Sequence, residues 1–352
     1  MKKLFLSSLI LTLSVTMLAG CGAKDTGIAK VGMGHITSIA KSKDLGVDKD
    51  GKEVLPTAQA DTIIVAAAFD KDGKVAKVTI DNAQTKIDYN KDLTVKSDLK
   101  AEGKTKVELG DAYGMIKASS IKKEWYQQIA ELEKWMLGKT VEEIKAMKTV
   151  KKDDSHPAVP DVAELKSSVT VSVEGYIAAL EEAYKTAVEV KGAEKVGLGH
   201  EVSISKSTGL GTKDGKEVLP VAQVNTVMAT TAFDKNGKVV ATLIDNAQTK
   251  INYDNTGKVT SNKTEAPKTK VELGDAYGMI KASSIKKEWY QQIAELQKWM
   301  AGKSVDEIKG MKTAKKDDAH PAVPDVAELK SSVTVSVEEY VASVAEAFEK
   351  AK

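Results

Sequence analysis

Residues 164–172 read Glu-Leu-Lys-Ser-Ser-Val-Thr-Val-Ser, and the same nine residues return at 328–336. Four of the nine carry a hydroxyl. The run that follows, Val173, Ile177, Leu180 and Tyr184, has the spacing of one helix face, so a helix is expected to begin here. A hydroxyl at a helix entrance can cap free backbone N–H groups. Ser336 and Glu339 make the capping pattern in the second copy, while Gly175 breaks it in the first. The same N–H groups, with the helix dipole behind them, favour an anion such as phosphate. Thr170 and Thr334 therefore either lead into helices or hold a phosphate-bearing group.

Residues 108–115, Glu-Leu-Gly-Asp-Ala-Tyr-Gly-Met, recur at 272–279. Two glycines permit tight turns or close approach of a ligand. Tyr113 and Met115, repeated as Tyr277 and Met279, offer a flat aromatic face and a polarisable thioether. Those groups suit a planar heterocycle, with Asp111, Gly114, Asp275 and Gly278 beside them; they equally suit a loop whose tyrosine fills the core. Residues 153–161 hold His156 among aspartates and prolines, and His320 repeats it. A metal is conceivable there, but no histidine pair stands at ligand spacing, and a rigid loop lining a pocket is the better reading. His35 and His200 follow Gly-x-Gly without the third glycine of a dinucleotide fingerprint. No Gly-x-Ser-x-Gly elbow is present, which removes the hydrolase reading.

The elements that must position these residues are written twice. From Asp50 onward, residue n matches residue n+164 without a gap, and residues 104–132 return unchanged at 268–296. A period this long is a domain duplication, because solenoid repeats run about 20–50 residues. Residues 62–69 and 74–80 read as a hairpin around Asp72-Gly73, with Asn236-Gly237 in the second copy. Ile121, Trp125, Ile129, Leu132 and Met136 form one helical stripe over about 119–137, closed by Gly138. Thr140 with Glu143, and Ser304 with Glu307, are capping boxes for a short helix. Strands first and helices after predict an α+β fold: two tandem homologous domains, 28–188 and 189–352, each an antiparallel sheet with helices packed on it.

The N-terminus sets the compartment. Lys2 and Lys3 precede a short apolar run and then Leu18-Ala19-Gly20-Cys21, so residues 1–20 read as a secretory signal and 21–27 as a tether. Cys21 is the only cysteine in 352 residues, so no intrachain disulfide can form. The 52 basic and 50 acidic side chains are interspersed, and removal of Lys2 and Lys3 brings their sum to about zero. That balance argues against nucleic acid as a partner.

Leu-Ala-Gly-Cys resembles the bacterial lipobox, in which the cysteine carries a thioether-linked diacylglycerol. That motif, the duplication, the 108–115 loop, His-Pro-Ala-Val-Pro-Asp and Ser-Ser-Val-Thr together resemble the flavin-carrying lipoproteins of Gram-positive extracellular electron transfer. The resemblance covers essentially the whole chain after residue 20. It implies two covalent FMN groups, each attached by an ApbE-type flavin transferase through its phosphate to a threonine. The family's flavinylation pattern is Asp-x-x-Ser-Gly-Ala-Thr. Here Glu164 stands for the aspartate, Ser167 matches, Ser168 and Val169 replace glycine and alanine, and Thr170 matches; Glu328, Ser331, Ser332, Val333 and Thr334 repeat the set. The resemblance further implies anchorage on the outer face of the cell membrane. Electrons would arrive from a membrane NADH:quinone pathway and leave to ferric iron, soluble flavin or another extracellular acceptor. A surface lipoprotein that binds a reversible ligand, or an adhesin with no flavin, is the alternative class.

Overall fold

An antiparallel strand with one wet face buries every second residue. The strand Thr57–Phe69 departs from that rule: Val65, Ala67 and Phe69 are buried, and so are Ala58, Ala60, Ile64, Ala66 and Ala68. The computed structural model, which describes residues 27–352, shows what covers each face. Four strands make the first sheet: β1 (Lys30–Ser38), β2 (Thr57–Phe69) and β3 (Val75–Asp88), in the order β3-β2-β1, and the short Val188–Glu189 on the outer side of β1. Helices α1 (Trp125–Met136) and α2 (Glu174–Lys185) cover one face, over Val65, Ala67, Phe69, Val78 and Ile80. The second half repeats this with β4 (Lys195–Ser203), β5 (Val221–Phe233), β6 (Val239–Asn252), α3 (Trp289–Met300) and α4 (Glu338–Glu349). The fold is α+β, built of two similar halves.

The remaining faces of the two sheets pack on each other. Met33, Ile64 and Ala66 meet Leu198, Met228 and Ala247, and Ala58, Ala60 and Ile87 meet Val202, Val224 and Ile251. Tyr89 and Tyr253 stand with ring centroids 5.4 Å apart at one end of this seam. The layers therefore run helices, sheet, sheet, helices. Among the described residues, no helix is long and apolar enough to cross a membrane. The signal, the lipobox cysteine Cys21 and most of the tether lie outside the described residues.

Local signals act as expected in several places. Gly73 and Gly237 turn the hairpins with φ of 76° at both positions. The strands run longer than the sequence suggests, from Thr57 to Asp88 overall, because the sheet-on-sheet contact buries their far ends as well. Thr140 and Ser304 cap their short helices, Val141–Lys145 and Val305–Lys309, each with a reciprocal glutamate bond. The stripe Trp125, Ile129, Leu132 and Met136 is buried on α1. However, α1 begins at Trp125, not near residue 119, and Ile121 lies before it. Lys122 has a φ of 54°, which interrupts any helix upstream.

Two buried histidines cross the seam in reciprocal fashion. His200 Nε2 stands 3.3 Å from Asp81 Oδ2 of the first half, and its Nδ1 lies 3.6 Å from Glu346 Oε2 on α4. His35 faces the corresponding residues, Asp245 of the second half and Glu182 of its own, but meets both through Nε2. Burial by itself would push the His200 imidazole below its ordinary value of 6.5. The hydrogen bond it gives Asp81 and the charges of Glu346 and Asp81 outweigh burial and the nearby Lys350, and the value is raised. The folded state thus holds this proton more tightly than the unfolded chain. That stabilisation is complete below the ordinary value and is lost as pH rises through the raised one. Melting temperature is therefore expected to fall as pH rises from about 6 towards 8, below the range in which the lowered Lys106 and Lys270 lose their protons, and His200→Gln to make the slope shallower. His35, raised in the same sense, retains part of the slope. Thermal melts across that range check it; an unaltered slope in the variant removes His200 from the account.

Candidate functional site

Thr170 is held by the core beneath it. Leu165, Val169 and Val173 are buried in the cluster under α1 and α2, while Glu164 and Ser167 remain exposed. Residues 163–168 form turns closed by Ser168 N–H and Val169 N–H to the Leu165 carbonyl at 2.9 and 2.8 Å. The Ser168 hydroxyl also turns inward to the Leu165 carbonyl, at 3.3 Å. Ser332 repeats that bond to Leu329 in the second half, where Val333 is buried and Glu328 and Ser331 are exposed.

The helix entrance expected at Thr170 lies further on. Helix α2 begins at Glu174, after an N-cap Val173 whose side chain caps nothing. Ser336 does not cap α4 either: its hydroxyl accepts from Ala322 N–H at 3.2 Å, as Ser172 accepts from Ala158 N–H at 3.1 Å. The first turns carry Glu174, and Glu338 with Glu339, which oppose an anion there. A phosphate on Thr170 would therefore draw nothing from a helix dipole.

Thr170 is tied instead to Gln128. Its N–H donates to Gln128 Oε1 at 2.8 Å and its hydroxyl at 3.2 Å. Gln128 is fully buried on α1, and its Nε2 donates to Ser119 Oγ and to the Lys123 carbonyl, both at 3.3 Å. Ser119 N–H in turn donates to the Met115 carbonyl at 2.9 Å. An unbroken run of hydrogen bonds thus joins Thr170 to the loop that carries Tyr113 and Met115. The second half repeats it through Thr334, Gln292, Ser283 and Met279. Sequence reasoning missed Gln128 and Gln292. The signal was present: residues 125, 128, 129 and 132 share one helix face, and a glutamine among core residues there needs a buried partner.

The loop itself is two short 3-10 turns, Gly110–Tyr113 and Met115–Lys117, hinged at Gly114 with φ of 77°. Glu124, only 1% exposed, holds the second turn by accepting Met115 N–H and Ile116 N–H, each at 2.8 Å. Tyr113 and Met115 are half-buried against the same core as Val171. The Tyr113 hydroxyl reaches Gln84 Oε1 at 3.3 Å. Lys106 Nζ lies 4.9 Å from the Tyr113 ring centroid and 5.2 Å from that of Trp125. Burial pushes this lysine down to about 8. One face of Tyr113 is thereby covered by an ammonium, and Tyr277 is covered likewise by Lys270 at 5.1 Å. Asp111 is exposed and accepts from Tyr126, as Asp275 does from Tyr290.

His156 gives its ring to Asp153, with Nδ1 to Oδ1 at 2.8 Å, and His320 repeats this with Asp317 at 2.7 Å. The ring is half-exposed and committed within its own turn. The loop nevertheless sits beside Thr170, because Ala158 bonds both Ser172 and Val173. Gln84 also borders an open groove of about 310 Å³ that includes Thr85, Ser97, Glu102, Lys104 and Ile204. Seven of its ten lining residues are polar or charged, although more of the surface they present to it is apolar than polar.

Comparison with protein-family models, curated proteins and solved structures returns no match.

Proposed function

We propose that the chain is an electron carrier with one FMN attached through its phosphate to Thr170 and a second to Thr334. Cys21 would carry the lipid that holds it on the outer face of the membrane. Electrons would come from a membrane NADH:quinone pathway and pass to ferric iron, soluble flavin or a similar acceptor. The observation that carries this reading is the duplicated run Thr170–Gln128–Ser119–Met115. It holds a half-exposed hydroxyl at fixed spacing from a loop bearing a half-buried aromatic ring and a thioether. A buried glutamine that accepts the hydroxyl's hydrogen leaves the oxygen lone pairs directed away from it. In the transferase reaction that oxygen forms the new P–O bond, gives up its proton and displaces the leaving group of an activated FMN donor.

The residues present fit the group in part. Met115 and Tyr113, both half-buried, supply apolar contact, and Gln84 supplies a polar one. The flavin would provide the redox chemistry; the chain would provide position and a water-poor wall.

Co-expression with an ApbE-type transferase is the direct test. Full-length protein should keep yellow fluorescence through a denaturing gel and gain the mass of two FMN groups. Thr170→Ala and Thr334→Ala should each remove about half the signal, and the double variant all of it. A colourless parent protein, or a double variant that stays labelled, rejects the assignment; flavin released on denaturation points to the reversible-ligand class.

A further inference from the structure

We propose that His35 and Glu182 of the first half, with Asp245 and Glu272 of the second, form a site for one divalent d-block cation, of the Zn²⁺ type, that clamps the two sheets together. His35 is 7% exposed on β1, and its Nε2 points at two carboxylates at once. Glu182 Oε1 and Asp245 Oδ2 each lie 3.5 Å from that nitrogen. Direct N–H···O bonds to carboxylates are shorter, about 2.7–2.9 Å. Two ligand atoms about 2.1 Å from a tetrahedral metal stand about 3.4 Å apart. The spacing of both carboxylates from His35 thus fits ligands around a cation as well as it fits a long ion pair. His35, Glu182 and Glu272 each offer a ligand atom, all within 4.8 Å of one another; Asp245 stands outside that set and approaches from the His35 side alone.

Each carboxylate is oriented by a backbone N–H on its other oxygen. Glu182 Oε2 accepts His35 N–H at 2.8 Å, Glu272 Oε2 accepts Thr269 N–H at 2.8 Å, and Asp245 Oδ1 accepts Val271 N–H at 3.1 Å. The second oxygen of each is left for the centre, which is how outer bonds fix the ligands of metal sites.

The duplicated cluster in the other half supplies an internal contrast. There Glu108, His200 and Glu346 also bring ligand atoms within 4.8 Å of one another, but Asp81 and Glu346 face opposite nitrogens of His200. A lysine completes that cluster: Lys350 Nζ pairs with Glu346 and lies 3.8 Å from Glu108. The position matching Lys350 in the first half is Thr186, whose hydroxyl donates to the Met33 carbonyl at 2.8 Å. Three carboxylates there face one imidazole; Lys270 acts on Asp245 through its charge but makes no ion pair with any of them, and a divalent cation would balance the remainder.

The test uses full-length protein stripped with a chelator and then titrated with Zn²⁺, with bound metal counted after desalting and melting temperature followed in parallel. One equivalent should bind and raise the melting temperature. Glu272→Gln and Asp245→Asn should each weaken binding at least about tenfold. Thr186→Lys keeps all four ligands and places the second half's own counter-charge in the site; it should abolish the metal-dependent rise while the apo protein melts as the parent does. His200→Gln should leave the stoichiometry at one. No binding by the parent, binding unaffected by Glu272→Gln and Thr186→Lys, or loss of metal in His200→Gln overturns the proposal.

Discussion

Gly34→Ala is expected to unfold the first half of the protein, and Gly199→Ala the second. A Cβ at Gly34 would lie 1.8 Å from the Ala179 carbonyl oxygen and 2.6 Å from Ala183 N on α2. At Gly199 it would lie 1.8 Å from the Ser343 carbonyl oxygen and 2.7 Å from Ala347 N on α4. These are backbone atoms of packed helices, so no side-chain rotation relieves the overlap. The helix must lift from the sheet, and Leu180, Ala183 and Tyr176 lose their contacts beneath it. Overpacking alone typically costs about 1–3 kcal/mol, and opening the core adds to it. We expect a loss of about 3 kcal/mol or more from a total stability on the order of 5–15 kcal/mol. Urea titration of each variant, with Trp125 and Trp289 as fluorescent reporters, measures it. A Gly34→Ala protein that unfolds at the parent's midpoint would show that the close approach is not real. On the flavin reading, Gly34→Ala should also cost Thr170 its label while Thr334 keeps its own.

Glu124→Ala carries the second large effect, with Glu288→Ala its repeat. The Glu124 carboxylate is buried and accepts two backbone N–H groups of the Met115–Lys117 turn. Its own N–H donates to Gln127 Oε1 at 2.8 Å where α1 begins. Removal strands two donors, at about 1–3 kcal/mol for each one left unpaired, so about 2–4 kcal/mol is expected after partial rescue by water. Glu124→Gln keeps one acceptor oxygen and should lose roughly half as much. Hydrogen exchange locates the effect: amides 115 and 116 should exchange faster in Glu124→Ala, with little change in the second half. Equal protection in parent and variant would mean that the turn stands without the carboxylate.

The Gly-x-Gly before each histidine shows how one pattern can be read and misplaced. As a nucleotide motif it fails for want of a third glycine and a following helix. In the fold its function is steric: Gly32, Gly34, Gly197 and Gly199 let a helix backbone lie directly on the central part of β1 and β4. No local rule announces this, because the helix that needs the space lies about 150 residues downstream in each half.

What the sequence determined by itself is what short-range physics controls. The duplication, the Asp72-Gly73 and Asn236-Gly237 turns, the Trp125–Met136 stripe and the Thr140 and Ser304 caps depend on residues a few positions apart, and each stands in the structure. So does the α+β layering, since hairpin and helix periods differ. The tertiary structure alone decided the rest. Whether the alanine-rich face of β2 met water or another sheet depended on a half of the chain more than a hundred residues away. The start of α1 moved to Trp125 beside a buried Glu124 that holds the preceding turn, and Thr170 was placed by Gln128 rather than by a helix end. His35 found Asp245, and His200 found Asp81, across the seam. Buried polar groups must be satisfied, but which partner satisfies them is set by packing, and packing is a property of the folded chain.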